Sequence, residues 1–453
     1  MKRKISIFLL GVVLLCLPSH LSYGQGARYT GSYTKSSAIQ HVRKSNFVIE
    51  ASEFTDSSNK DLIALYSCEN VIIRNNKFGS APVKRSIYLD NCKNITIIDN
   101  TFENVQTGLV AHNSQGIKFE YNDATNIVGP LKGGEKIGNM ARFDKVFGTG
   151  NSISYNVCEN FPGESSPEDI INVNQSIGTS ASPIMVKGNW LRGGGPSTSG
   201  GGILLGDVGG AYQVAENNIV VDPGQYGIAI AGGNNIALRN NKIYSSRKAY
   251  NNVGLYAANW YESLGKSSNI TVANNTVNYT NKDGKLNNFW YAGNVEPISG
   301  KETNRYDSGL NASVLPTKIT GRARTTTSPG GETPQLPGTN EPGTDPIPND
   351  PDQTTNPDTD KVDPTSPITS LPNITNDPSI QIYLDRYNRV CVNIFGKLES
   401  SAKVYAANAQ MAIIYNSSVS QYHTVLPYRP SPGNYHILVQ NGSKMHLKTL
   451  YIR

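Results

Sequence analysis

The chain has 453 residues, enough for two or more domains with sizeable cores. Its formal charge is only +6, and Lys2, Arg3 and Lys4 at the extreme N-terminus supply half of that excess, so nothing in the charge balance points to nucleic-acid binding. The 43 glycines, with many Asn, Ser and Thr, favour short strands and turns over long helices.

In chain order, the basic triplet and the apolar run at 5–17 predict a secretory signal, residues 1–24, with cleavage after Gly24. That run is too short to span a bilayer, and no other segment is apolar enough to do so. Cys16 lacks the small residue that a lipoprotein cleavage site places before the cysteine. Cys68, Cys92, Cys158 and Cys391 remain after cleavage, too few for a disulfide scaffold and without CxxC or Cys/His metal spacing.

Nine ten-residue segments then share one pattern, among them ENVIIRNNKF from Glu69, KNITIIDNTF from Lys93 and SNITVANNTV from Ser268, with starts 22–34 residues apart. Apolar residues alternate within each, as in a strand with one buried face. The eighth position is Asn76, Asn100, Asn122, Asn156, Asn189, Asn218, Asn241 and Asn275 in turn, with Ser52 in the first segment. Asn tolerates left-handed backbone, and its amide can bond to an identical amide one coil away, so a stacked column at a coil corner is expected. A second strand precedes each segment, as in SIYLDN at 86–91 and YGIAIAG at 226–232. Two strands and an Asn corner in about two dozen residues make a solenoid coil, which must stack on its neighbours to bury its apolar face. Residues 25–320 are therefore predicted to form one solenoid. Residues 321–378, rich in Pro, Thr and Asp, are predicted to be a disordered linker, and 379–453 to be short strands in a small β-sandwich.

The repeats resemble those of the pectate-lyase-like superfamily, which implies an all-β, right-handed parallel β-helix. The C-terminal stretch, with VYAANAQM at 404–411, LP at 426–427, PGNYHILVQNG at 432–442 and the final KTLYI, is similar to the sorting domains of type IX secretion. One departure is Ala409, where that family usually has Gly; Asn408 can take the left-handed turn instead. The resemblance implies export through the periplasm to the outer surface or the medium, with the type IX machinery as a partner and a monomeric product.

Within the β-helix family, glycan chemistry commonly sits on one outer face. Aligning the first strand of each coil puts Tyr66, Asp90, His112, Asp144 and Asn174 in one outward column, and Ala64, Tyr88, Val110, Arg142 and Asn172 in the column two residues earlier. Asp144 and Asp90 would lie two coils, about 9–10 Å, apart with His112 between them, and Arg142 could hold a uronate or neutralise charge. These four are the catalytic candidates. Tyr88, Asn172, Asn174, Trp260 and Trp290 are the substrate-binding ones, and Trp190, Tyr261 and Tyr291 are further aromatic candidates. Glu168 and Asp169 are consecutive and would face opposite sides of a strand, so they do not form a catalytic pair; one of them could instead cap a turn, bind Ca²⁺ or contact substrate. Asp207 and Asp222, on neighbouring coil edges, could share Ca²⁺, although no Ca²⁺-loop spacing is present and no other cofactor is implied. Gly193–Gly195 and Gly200–Gly202 are expected in a flexible loop over the groove. Cys68 and Cys92, one coil period apart, suit either a disulfide or a stack of buried thiols. Two functions fit: a lyase or glycoside hydrolase acting on polysaccharide, or a non-catalytic carbohydrate-binding or adhesion module.

Overall fold

The computed structural model describes residues 29, 31–55, 61–79, 84–132, 137–197, 199–321, 380–384, 390–394, 402–407, 413–418, 423–425, 433–441 and 444–452. The predicted signal segment, and the predicted linker beyond residue 321, lie outside these residues.

Strands from Thr34–Ser36 to Arg305–Tyr306 form three parallel sheets of ten, ten and eleven strands. The first sheet runs from Ile39–Val42 to Phe289–Tyr291, the second from Ser45–Glu50 to Ile298–Ser299, and the third from Thr34–Ser36 to Arg305–Tyr306. Each full coil gives one strand to each sheet, the architecture of a right-handed parallel β-helix. Three strands per coil, rather than the two expected, arise because every repeat segment bends at its Asn. Glu69–Arg74 belongs to the second sheet, and Lys77–Gly79 already belongs to the third.

The corner works differently from the expectation in one respect. The left-handed residue is the one before the ladder Asn: Asn75, Asp99, Tyr121, Tyr155 and Asn217 all have φ between 53° and 60°. The ladder Asn instead turns inward and satisfies the corner's buried polar groups. Asn156 is fully buried, and its Oδ1 accepts from the backbone N and Nδ2 of Asn122 at 2.9 and 3.1 Å. Its own N and Nδ2 donate to Asn189 Oδ1 at 3.0 and 3.1 Å, and Nδ2 also reaches the Phe119 carbonyl at 2.8 Å. The same bonds recur from Asn76 to Asn275 and continue to Asn304, a rung outside the nine repeats.

Inside, like residues stack on like. Phe54, Phe78 and Phe102 lie nearly parallel, with ring centroids 5.2 and 4.8 Å apart. Pairs such as Ile87 and Leu89, or Ile171 and Val173, point inward from the first sheet and are fully buried. Cys68 and Cys92 form no disulfide; both are free buried thiols. Cys92 Sγ faces the Leu65 carbonyl at 3.4 Å, and burial pushes its pKa up to about 12, which leaves it unreactive.

After the last coil the chain turns back as a strap along the outside of the third sheet. Asn278 donates to the Leu310 carbonyl at 2.8 Å, and Leu315 and Ile319 pack on Val157, Trp190 and Val221. Arg192 donates to the carbonyls of Pro316 and Thr317, and the Gly321 amide reaches Asp123 Oδ2 at 2.6 Å. Trp190 is thus a buried anchor for the strap rather than an exposed platform. Towards the C-terminus, a three-stranded and a four-stranded antiparallel sheet share a core that includes Ile382, Val392, Val404 and Val439. Among the described residues no helix is long and apolar enough to cross a membrane.

Replacing Asn156 by Ala strands the donors of Asn122 in a dry corner. The expected cost is about 3 kcal/mol, read as a lower chemical-denaturation midpoint. Ser268→Ala, which removes a bond to Asn234 that lies on the exposed surface, should cost less than about 0.5 kcal/mol in the same assay.

Candidate functional site

Strand pairing in the first sheet puts Tyr88, Val110, Arg142, Asn172, Leu204, Ala229, Tyr256 and Trp290 in one column. Beside it run Tyr66, Asp90, His112, Asp144, Asn174 and Asp207, with a bulge just before Asp207. Arg142 and Trp290 are five strand spacings apart, about 24 Å at roughly 4.8 Å each.

Over the second half of this column lies a cleft of about 710 Å³. Its floor includes Arg142, Asn172, Leu204, Tyr256 and Trp290. One wall comes from loops that enter the strands and carry Ile137, Glu168, Ser199, Gln225, Asn252 and Asn287. The other comes from residues that follow the strands: Asp207, Ala231, Trp260 and Tyr261. The groove therefore runs along the solenoid axis.

At one end two carboxylates meet at a single amide. Asp169 is only 4% exposed. Its Oδ1 accepts from the Tyr226 hydroxyl and from the Gly201 amide at 3.0 Å, and its Oδ2 accepts from Asn172 Nδ2 at 2.8 Å. The same Asn172 nitrogen donates to Asp207 Oδ2 at 3.0 Å. Asp207 also accepts from Asn174 at 2.9 Å and from the Tyr261 hydroxyl at 2.6 Å. A single amide thus bridges the two carboxylates. Burial raises the Asp169 pKa to about 7 against the pull of its three donors, and the Glu168 charge pushes the same way. Glu168 accepts from Ser199 at 2.8 Å and also lines the cleft.

Strand alternation does not separate Glu168 from Asp169, because both precede the strand Ile171–Asn174 and sit in irregular backbone. Nor are Gly200–Gly202 a flexible flap. All three are buried, and a Cβ on Gly201 would come within 2.5 Å of the Tyr226 ring. Glycine there lets the chain lie flat on Tyr226 while its amide reaches Asp169. At the other end are aromatic rings. Tyr256 meets Tyr226 edge-on at 5.1 Å and Trp290 at 5.9 Å, and Trp260 lies 5.6 Å from Trp290. Trp260 and Trp290 are 59% and 41% exposed, apolar faces open to a ligand.

Of the catalytic, substrate-binding and aromatic candidates, Arg142, Asn172, Trp260, Tyr261 and Trp290 line the cleft. Asn174 is buried beside it, holding Asp207. Asp144 and His112 lie outside the lining, paired at 2.8 Å. Burial alone would raise the Asp144 pKa, but the His112 hydrogen bond and charge, with Arg142 and Lys145, hold it below the ordinary value. Asp90 is buried, and Tyr88 lies beneath the Arg85 guanidinium at 3.9 Å, so neither faces the cleft. Tyr291, half-buried, accepts from Asn304 at 3.3 Å. Asp207 and Asp222 do not converge on a metal: Asp222 sits at another corner with Ser245, Ser246 and Lys248. Among the described residues no cluster of three or more His, Cys, Asp or Glu could hold an ion. Sequence reasoning named Asp169 only as a turn cap, Ca²⁺ ligand or substrate contact, not as half of a carboxyl pair, and it missed Tyr226 and Tyr256 as site residues. Their signal was position, since each lies in or just before a first-sheet strand at the coils where the entering loops lengthen.

A family model described as "Right handed beta helix region" matches residues 25–166. A solved catalytic domain of a GH87 α-1,3-glucanase variant, in complex with tetrasaccharides, is similar at 12% identity and a TM-score of 0.35. That match covers 62% of this chain and 60% of the other. No curated protein matches. The chain is a right-handed β-helix repeat protein.

The unfolded Asp169 side chain ionises near pH 4, the folded one only near 7. Its contribution to stability is complete below about pH 4 and is lost as pH rises towards 7. Asp169→Asn should remove that loss. The denaturation midpoint of the variant, relative to wild type, should therefore be higher at pH 7.5 than at pH 4.5.

Proposed function

We propose that the protein is an exported glycoside hydrolase that holds a polysaccharide lengthwise in the groove and cleaves it over Asp169 and Asp207. The observation that carries this is a buried carboxyl that keeps its proton close to neutrality, bridged through Asn172 to a second carboxylate, at the foot of an aromatic-lined cleft. Two carboxyl groups in unlike environments are what acid-assisted glycoside cleavage needs. Asp169 gives its proton to the departing glycosidic oxygen. Asp207 faces the positive charge that builds at the anomeric carbon, and its carboxylate takes the proton that water gives up as the water oxygen bonds to that carbon. Asn172, Tyr226 and Gly201 position Asp169, while Trp260 and Trp290 stack against sugar rings. The chemistry thereby moves along the column from Asp90, His112 and Asp144 to Asp207, and to Asp169 bridged to it through Asn172.

For delivery we propose the signal-led route through the periplasm, with the C-terminal antiparallel sheets as a type IX sorting domain and a monomeric product on the cell surface or in the medium. Support comes from the basic, then apolar, N-terminus and from the separate C-terminal core.

Reducing-end release from a panel of polysaccharides tests the hydrolase. Asp169→Asn and Asp207→Asn should each lower the rate by about 10²–10⁴-fold with binding retained. Trp260→Ala and Trp290→Ala should weaken glycan binding about tenfold. Binding without release from any substrate would reject catalysis and leave the carbohydrate-binding module.

A further inference from the structure

The charges of the groove are unevenly placed. Among the described residues, Arg142 is the one cation in its lining, against Glu168, Asp169 and Asp207. The strand that ends at Asp207 lies two spacings beyond Arg142, about 10 Å, and Trp290 a further three, about 14 Å. Over that last stretch the described lining residues carry no charge. It offers the rings of Tyr256, Trp260 and Trp290, and the neutral amides of Gln225, Asn252 and Asn287. Basic residues do occur in the neighbouring loops, but they are engaged elsewhere or stand outside the lining. Arg247 donates to the Lys282 carbonyl at 2.8 Å, and Lys248 pairs with Asp222 at 3.1 Å. Lys282 and Lys285 are exposed and do not line the cleft.

From this layout, and resting on the polysaccharide reading above, we propose that the stretch between Asp207 and Trp290 takes uncharged sugars, so that the substrate is a neutral polysaccharide and not a polyuronate. A neutral pyranose presents a C–H face to an aromatic ring and hydroxyls to amides, and both partners are in place here. A uronate on each successive ring would set a row of carboxylates where no guanidinium or ammonium lines the groove. Partial desolvation of those charges would go uncompensated. The nearest fixed charges, Glu168 and Asp207, have the same sign and would repel them. Arg142 stands too far along the groove to help, since charges separated by more than about 8–10 Å are largely screened at physiological salt.

The test is affinity electrophoresis or calorimetry of the full secreted chain with soluble neutral polysaccharides (glucans, mannans, xylans) and with polygalacturonate and alginate, at 20 and 300 mM NaCl. Neutral chains should bind with salt-insensitive affinity. Polyuronates should bind at least tenfold more weakly at low salt, with the gap narrowing as salt screens the repulsion. Trp290→Ala, a change at an exposed side chain, should weaken neutral-glycan binding about tenfold and so locate it in this stretch. Tighter polyuronate binding that weakens with salt would overturn the neutral assignment and leave the polysaccharide function standing. Neutral binding untouched by Trp290→Ala would overturn its placement. No binding to any glycan would overturn both proposals together.

Discussion

Everything in this molecule depends on satisfying the polar backbone at one buried corner. Where the second sheet turns into the third, the chain must bend against the core, away from water. Each ladder Asn meets that demand with one amide: its oxygen takes two donors from the coil before, and its nitrogen serves both the next rung and a carbonyl inside the coil stack. A side chain one atom longer or shorter would miss one of these partners. The ladder therefore sets the distance and rotation between coils as well as their stability.

That constraint also decides where variation is permitted. Across the Asn corner exactly the same short link recurs, two residues between Arg74 and Lys77, between Ile98 and Thr101, and between Lys187 and Trp190. The extra residues of the longer coils enter elsewhere, chiefly before the first sheet, as between Ile127 and Ala141 or Arg192 and Ile203, and also after it, between Ala257 and Ser268. Loops raised on both sides of one sheet make a trough, and strand register lines its floor. The corner with the strictest hydrogen bonding is thus the one without a groove, and the functional face is the one that the ladder leaves free.

Much of this was legible in the residues, and the reason is periodicity. The two columns that the repeats imply, Tyr66 to Asn174 and Ala64 to Asn172, are the columns that strand pairing produces, even across the insertion before Met140. Alternation fixes which residues point inward, and stacking then does the rest. What could not be read was whatever escapes the period. The third strand follows the corner so closely that repeat and turn merge into one segment. Asp169 lies before its strand, where alternation no longer assigns a face, so its neighbour Glu168 was wrongly placed on the opposite side. The pairing of Asp169 with Tyr226 spans 57 residues and depends on Gly201 lying flat between coils, a packing relation that no local pattern announces.

The strap has a mechanical consequence. Because residues 307–321 run back over the third sheet and end against Asp123, a pull on the chain beyond residue 321 is not delivered to the last coil alone. It meets the bonds at Asp123 and Arg192 first, on the middle coils, and reaches Asn278 and the terminal strands only after those have yielded. A solenoid tethered at its tip would unzip; one gripped along its flank takes the load at its middle first.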